Sequence, residues 1–447
     1  MLGRDGAGAP AVLLLRDDAG WALPRLTSDE RASSDVAELA HDAGAMLGAE
    51  LSVLQCLTDA PAAGGRPRQQ VYALEVQGER WTPPPGARWA TAGDLARGAL
   101  APAGAADAIA AWLGECRAGR FTARGRDWVR PGWRAEALSW VDGELASRGL
   151  GPVTHVEQLK VWEYSHVLRV RAAGGDLYLK ALCESAAREV ALTARLAREH
   201  PGWVSDVVAV DLGRRWLLMR ATPGPELLQL GDTPAWEEAA RRMARIQMHW
   251  VDRTAELVAL GVPHWPLDAV AGEIARMLAD EAALLAPCPE GLTGAEMAEL
   301  RHRAPELREL CAELAGLGVP DSLEHGDLWG SNVLLAEGGP VLIDWEDATV
   351  AHPFVSPSLL LLTLPYSPAA SVGPGLRRRI RDAYLGEWQA VGPLRRWPAA
   401  RLERAFDLAQ RAAMVHYAVQ FWLGGPLIET SWWVRTFAPF FLRRCLA

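Results

Sequence analysis

Asn332 is the only asparagine in a chain of 447 residues, and it ends the segment His325-Gly326-Asp327-Leu328-Trp329-Gly330-Ser331-Asn332. Lysine is nearly as scarce: Lys160 and Lys180 stand against forty-four arginines. A composition that has exchanged lysine for arginine and shed asparagine leaves the survivors as candidates for work that no other side chain does. A carboxylate with an amide five residues on, and a lysine ending the strand-like run Leu177-Tyr178-Leu179-Lys180, are parts that ATP-dependent phosphoryl transfer requires.

Two short apolar runs must position them. Asn332 to Ala336 and Val341 to Asp344 flank the turn signal Glu337-Gly338-Gly339-Pro340, so a hairpin is expected. Folding back about Gly338 sets Asn332 opposite Asp344, with both side chains on one face. An amide oxygen beside a carboxylate is a hard donor pair suited to Mg²⁺. Asp327, on the approaching loop, is then placed to accept the proton of an attacking hydroxyl. His325 is expected to orient that loop. The competing reading is an ordinary acidic surface hairpin, in which Asp and Asn are common.

The segment from His325 to Asn332, followed by Leu342-Ile343-Asp344-Trp345-Glu346-Asp347-Ala348, resembles the aminoglycoside phosphotransferase and choline-kinase-like family over residues 135–447. The resemblance implies a two-lobed protein-kinase-like fold that binds ATP and Mg²⁺. It implies Asp327 as catalytic base, Asn332 and Asp344 as metal ligands, and Lys180 as phosphate ligand. Glu189 is implied as the partner of Lys180, with Glu184 and Glu199 as rivals. Leu217 to Thr222 is similar to the family's inter-lobe hinge, where backbone near Met219 and Ala221 would face adenine. The sequence departs from the family in two places. Val161 to His166, where a phosphate-covering loop is expected, has no glycine and offers Ser165 and backbone amides. Trp329 stands where many relatives have histidine.

Residues 1–120 read as a small α/β domain. Gly20-Trp21-Ala22-Leu23-Pro24, after a strand and before a helix, resembles the opening of a Nudix domain. A Nudix hydrolase needs helix glutamates for its metals. With Gly48 closing the box, His41 and Asp42 replace Arg-Glu, and Ala45 and Met46 replace the paired glutamates. The module is therefore expected to be degenerate, with sensing, acceptor shaping or dimerisation as its possible uses. An unrelated α/β domain is the alternative.

The whole reads as an α+β protein: a Nudix-like domain (1–120), a linker (121–134), a strand-rich lobe (135–223) and a helical lobe (224–447). Net charge of −9 disfavours a nucleic-acid partner. Six cysteines without a C-x-x-C pair show no metal knuckle or disulfide framework. No signal-peptide core or membrane-length apolar run is visible, so the expected location is the cytoplasm. Twenty tryptophans are available for core or for acceptor walls, among them Trp388, Trp422, Trp432 and Trp433. The expected activity is transfer of the ATP γ-phosphate to a hydroxyl of an aminoglycoside, amino sugar or similar metabolite. A nucleotide-binding sensor without catalysis is the alternative. Oligomeric state is not legible.

Overall fold

A computed structural model describes residues 2–4, 9–17, 20–27, 35–60, 68–78, 81–97, 105–121, 125–285, 291–373, 375–424 and 436–446. Trp432 and Trp433 lie outside them. The chain divides into two compact units, one formed by Met1–Ala186 with Val208–Arg220, the other by Ala187–Val207 with Ala221–Ala447.

The first unit holds two sheets. One is built from β1 (Leu2–Arg4), β2 (Pro10–Asp17), β3 (Gly20–Ala22), β4 (Glu50–Ala60), β5 (Gln69–Gln77) and β6 (Arg88–Ala90). Its order is β3-β2-β1-β5-β4, with β6 also on β2; β1 and β5 run parallel. Alternation along β2 explains its helices. Leu13 packs with Ala43 and Leu47 of α1 (Ala37–Leu47). Val12 and Leu14 face the other way, toward Leu95 of α2 (Ala92–Arg97) and Ile109, Trp112 and Leu113 of α3 (Ala105–Ala118). Helix α1 stops at Gly48, whose left-handed conformation returns its amide to the Gly44 carbonyl.

After α4 (Trp133–Ser147) comes a five-stranded sheet of order β10-β11-β9-β8-β7. Its strands are β7 (Val153–Val161), β8 (Ser165–Ala172), β9 (Gly175–Leu182), β10 (Val207–Asp211) and β11 (Trp216–Arg220). The β7–β8, β8–β9 and β9–β11 pairs are antiparallel. The edge strand β7 is joined to the N-terminal sheet. Gln158 accepts from the Val53 amide (2.8 Å) and donates to the Val53 carbonyl (2.7 Å). The Val36 amide donates to the Leu159 carbonyl (3.2 Å), and Asp35 bridges Lys160.

The second unit is helical around two small sheets. Its helices are α5 (Arg188–Glu199), α6 (Thr233–Trp250), α7 (Thr254–Ala259), α8 (Leu267–Ala279), α9 (Glu281–Leu284), α10 (Gly294–Gly316), α11 (Pro357–Thr363), α12 (Gly375–Ala390), α13 (Ala399–Gly424) and α14 (Phe437–Arg444). Asp232 caps α6, and a Thr293/Glu296 capping box starts α10. Strand β12 (Ser322–Glu324) pairs with β15 (Thr349–Ala351), and β13 (Val333–Ala336) forms a hairpin with β14 (Gly339–Leu342). The buried Arg242 of α6 secures this hairpin, donating to the carbonyls of Pro340 (2.6 Å), Gly202 (3.0 Å) and Gly338. Trp236, Trp250, Trp345 and Trp388 are fully buried in the core that backs it. Trp388 is thus core; Trp422 is half-buried, donating to Asp280 (2.9 Å) beneath the Arg276 guanidinium. Among the described residues no helix is long and apolar enough to cross a membrane.

Candidate active site

The hairpin forms as the sequence suggests, but in a register one residue away from the symmetric one. Val333 pairs with Leu342, and the Ile343 amide donates to the Asn332 carbonyl (3.0 Å). Asn332 therefore lies opposite Ile343 rather than Asp344. The turn is the two residues Glu337 and Gly338, tighter than a turn centred on Gly338 would be. Asp344 is just beyond the pairing, in the left-handed region at φ 67°. That conformation costs a non-glycine residue about 1–2 kcal/mol.

Loop geometry is fixed by local chemistry. The Asn332 amide donates to Asp327 Oδ2 (2.7 Å) and to the Asp327 carbonyl (2.8 Å), so one side chain sets both the loop and its carboxylate. His325 Nδ1 accepts the Asp327 amide (3.3 Å), and its ring lies 4.3 Å from that of Trp345. Burial pushes the His325 imidazole down to about 4, against the opposing field of Asp344, so it is neutral. Gly326 has φ 82°, and a Cβ there would sit 2.0 Å from the Asp347 carbonyl oxygen. The loop passes so close to that backbone that only glycine fits.

Charge is concentrated here. Withdrawal from water, then the carboxylates of Asp347, Asp344 and Glu346, push Asp327 well above the usual aspartate range, while the Asn332 bond opposes them. Oxygens of Glu189, Asp344 and Glu346 lie within 4.8 Å of one another. Glu189 and Glu346 are both buried. A divalent cation suits such a donor set, since it would relieve the mutual repulsion that raises Asp327. The sequence reading gave no role to Glu346 and Asp347, although they stand in the same Trp-Glu-Asp run as Asp344.

The remaining candidates are placed as follows. Glu189 opens α5 in the second unit, beside Asp344 and Glu346. Lys180 lies on β9 of the first unit, paired with Val167 and Leu217. Ser165, at the start of β8, is 1% exposed, and its hydroxyl accepts the Trp162 indole N–H (2.7 Å). Met219 is half-buried opposite Tyr178, and Ala221 follows the end of β11. Trp329 packs 6.4 Å from the rings of Phe440 and Phe441.

The family model described as "Phosphotransferase enzyme family" matches residues 167–394, a span holding each of these site residues except Ser165. No curated protein sequence matches the chain. Among solved structures, a choline kinase from Cryptosporidium parvum Iowa II is similar at 12% identity and TM-score 0.49, covering 68% of this chain and 94% of its own. A choline kinase from Streptococcus pneumoniae is similar at 13% identity and TM-score 0.46, covering 70% and 98%. A macrolide 2'-phosphotransferase type I is similar at 14% identity and TM-score 0.43, covering 65% and 91%.

Proposed function

Because the chain belongs to the phosphotransferase enzyme family, we propose that it transfers the γ-phosphoryl group of ATP to a hydroxyl of a small molecule, with Mg²⁺ as its metal. The observation that carries this reading is Asp327, held at side chain and carbonyl by the Asn332 amide beside the Asp344, Glu346 and Glu189 carboxylates. Asp327 accepts the acceptor's proton at its carboxylate. Its raised proton affinity brings it nearer the range in which a carboxylate works as a base. Asp344, with Glu346, Glu189 and the Asn332 amide oxygen as further donors, holds the metal. Bound Mg²⁺ supplies neutralisation of the phosphate oxygens. Lys180 binds phosphate as a point charge, and the backbone near Met219 and Ala221 faces the base. Positioning and charge neutralisation then carry most of the rate.

The acceptor belongs to the amino-sugar, aminoglycoside or related hydroxyl metabolites. The N-terminal sheet and helices are read as a Nudix-like module without hydrolase activity. Its helix α1 presents His41, Asp42, Ala45 and Met46 to solvent, where a metal-holding face would need carboxylates. The alternative of nucleotide binding without transfer draws on Ser165, whose buried hydroxyl already serves Trp162.

The test is thermal melting with Mg²⁺·ATP for wild type and Asp344→Ala, followed by an acceptor screen. Ligand binding to the native state raises the midpoint. A rise in wild type that Asp344→Ala removes, with phosphate found on an acceptor, is the expected result. No rise in wild type at millimolar nucleotide sinks the reading; a rise with no acceptor turned over favours the binding-only alternative.

A further inference from the structure

We propose that Glu324 is a positioning residue, a buried carboxylate that fixes the loop carrying Asp327; the catalytic part of this role rests on the reading of Asp327 as base. Glu324 ends β12, directly before His325, and has no exposed surface. Its neighbour Leu323 is also fully buried, so an apolar side chain would satisfy packing on this strand at no desolvation cost. A carboxylate is kept there instead, surrounded by donors. Ser356 Oγ (3.1 Å) and Tyr417 Oη (3.0 Å) donate to Oε1, and Thr349 Oγ1 donates to Oε2 (3.1 Å). The Gly326 amide, within the catalytic loop, also donates to the carboxylate. His416 Nε2 lies 3.9 Å from Oε2.

Ser356 shows how this acts at a distance. Its oxygen accepts the His325 amide (3.2 Å) and the Gln247 side-chain amide (3.2 Å). Both lone pairs are then occupied, and the hydroxyl proton is left for Glu324. Glu324 thus sets the direction of every bond in the relay from carboxylate to Ser356 to the His325 backbone, two residues before Asp327. Through Gly326 it holds the loop directly as well. Thr349 and Tyr417 tie the same carboxylate to β15 and α13, so the loop takes its position from two further elements besides the Ser356 segment. A buried carboxylate holding four donors in this way rigidifies what it touches.

The experiment is amide hydrogen exchange by mass spectrometry on the full chain, wild type against Glu324→Gln, alongside turnover with the acceptor found in the screen. An amide in place of the carboxylate turns an N–H₂ toward one of the four donors. Exchange in peptides covering 325–332 should quicken by about ten- to a hundred-fold, the worth of a hydrogen bond to a charged acceptor. Exchange in α10 should stay as in wild type. kcat should fall while KM for ATP is unchanged, a split that general destabilisation would not give. A folded Glu324→Gln protein with wild-type exchange in 325–332 overturns the proposal. Should that variant not fold, Ser356→Ala keeps the carboxylate and removes its link to the His325 amide, together with the bond from Gln247. Faster exchange in 325–332 supports the proposal there too, and unchanged exchange overturns it. Exchange is read without substrate, so a wild type that transfers no phosphate would end the functional reading while leaving the exchange result to decide on Glu324.

Discussion

The loop around Asp327 and the helix α1 both gather acidic residues on short elements, and they do so in opposite surroundings. Around the loop, burial and the carboxyls of Asp347, Asp344 and Glu346 raise the proton affinity of Asp327, and Glu189 and Glu346 are withdrawn from water. On α1, Glu38 and Asp42 stand in solvent beside Ala45 and Met46, over a core of Leu13, Ala43, Leu47 and Leu51. Like charges crowded away from water destabilise a fold. Their persistence in one place only points to the place where something binds and reacts. The helix carries no such cost, and so no such sign.

That contrast can be broken by experiment. The largest effect expected is on turnover: Asp327→Ala should lower it by about a hundred- to ten-thousand-fold, the range for a lost general base. Mg²⁺·ATP should still raise the melting midpoint, and wild-type turnover in this variant would remove Asp327 from the mechanism. Next comes Gly326→Ala, which meets both an adverse φ and the Asp347 carbonyl. It should cost about 3 kcal/mol in urea unfolding; an unchanged midpoint would show that the loop has room. Asp327→Asn should go the other way and melt above wild type at pH 7, since it removes a carboxyl whose charged form is disfavoured by burial and by three neighbouring carboxyls. The folded state raises the proton affinity of Asp327, so its unfavourable contribution is absent below the unfolded value near 4 and grows as pH rises through the folded value. The gap between the two proteins should therefore close as pH is lowered from 7 toward 4. A gap independent of pH would mean that repulsion is not its cause. Smallest of all, Glu38→Ala and Asp42→Ala should leave stability within about 0.5 kcal/mol and phosphotransfer unchanged. A measurable loss of transfer would give α1 a part in the chemistry.

The chain order of elements was largely readable, because apolar periodicity and turn residues are local signals. The hairpin after Asn332, the helix ending at Gly48 and the long helical stretch after Pro225 all follow from such signals. The rarity of asparagine, the spacing, the expected hairpin and the family resemblance together singled out Asp327, Asn332 and Asp344. What escaped it depends on non-local geometry. A left-handed aspartate cannot be told from any other in a sequence, so the one-residue shift and the escape of Asp344 from pairing were hidden. Glu346 and Asp347 acquire meaning only when the backbone at Asp347 meets Gly326. Glu324 reads as one polar residue in a short strand until Thr349, Ser356 and Tyr417 converge on it. Glu189 was chosen for its helix, yet its carboxylate lies beside Asp344 and Glu346, which no helical pattern reports.

The bond pair between Gln158 and Val53 bears on how this chain can be inherited or cut. Strand β7 is the outermost of its sheet, and a bare strand edge invites pairing with other molecules. Here that flank is occupied by the chain's own beginning, through Val36, Asp35 and the Val53 backbone. A fragment starting near residue 135, where the sequence texture changes, would carry the phosphotransferase elements away without their cover. It would expose the Gln158 amide and an adhesive edge together. The first 120 residues thus lie along a strand edge that would otherwise be open to pairing.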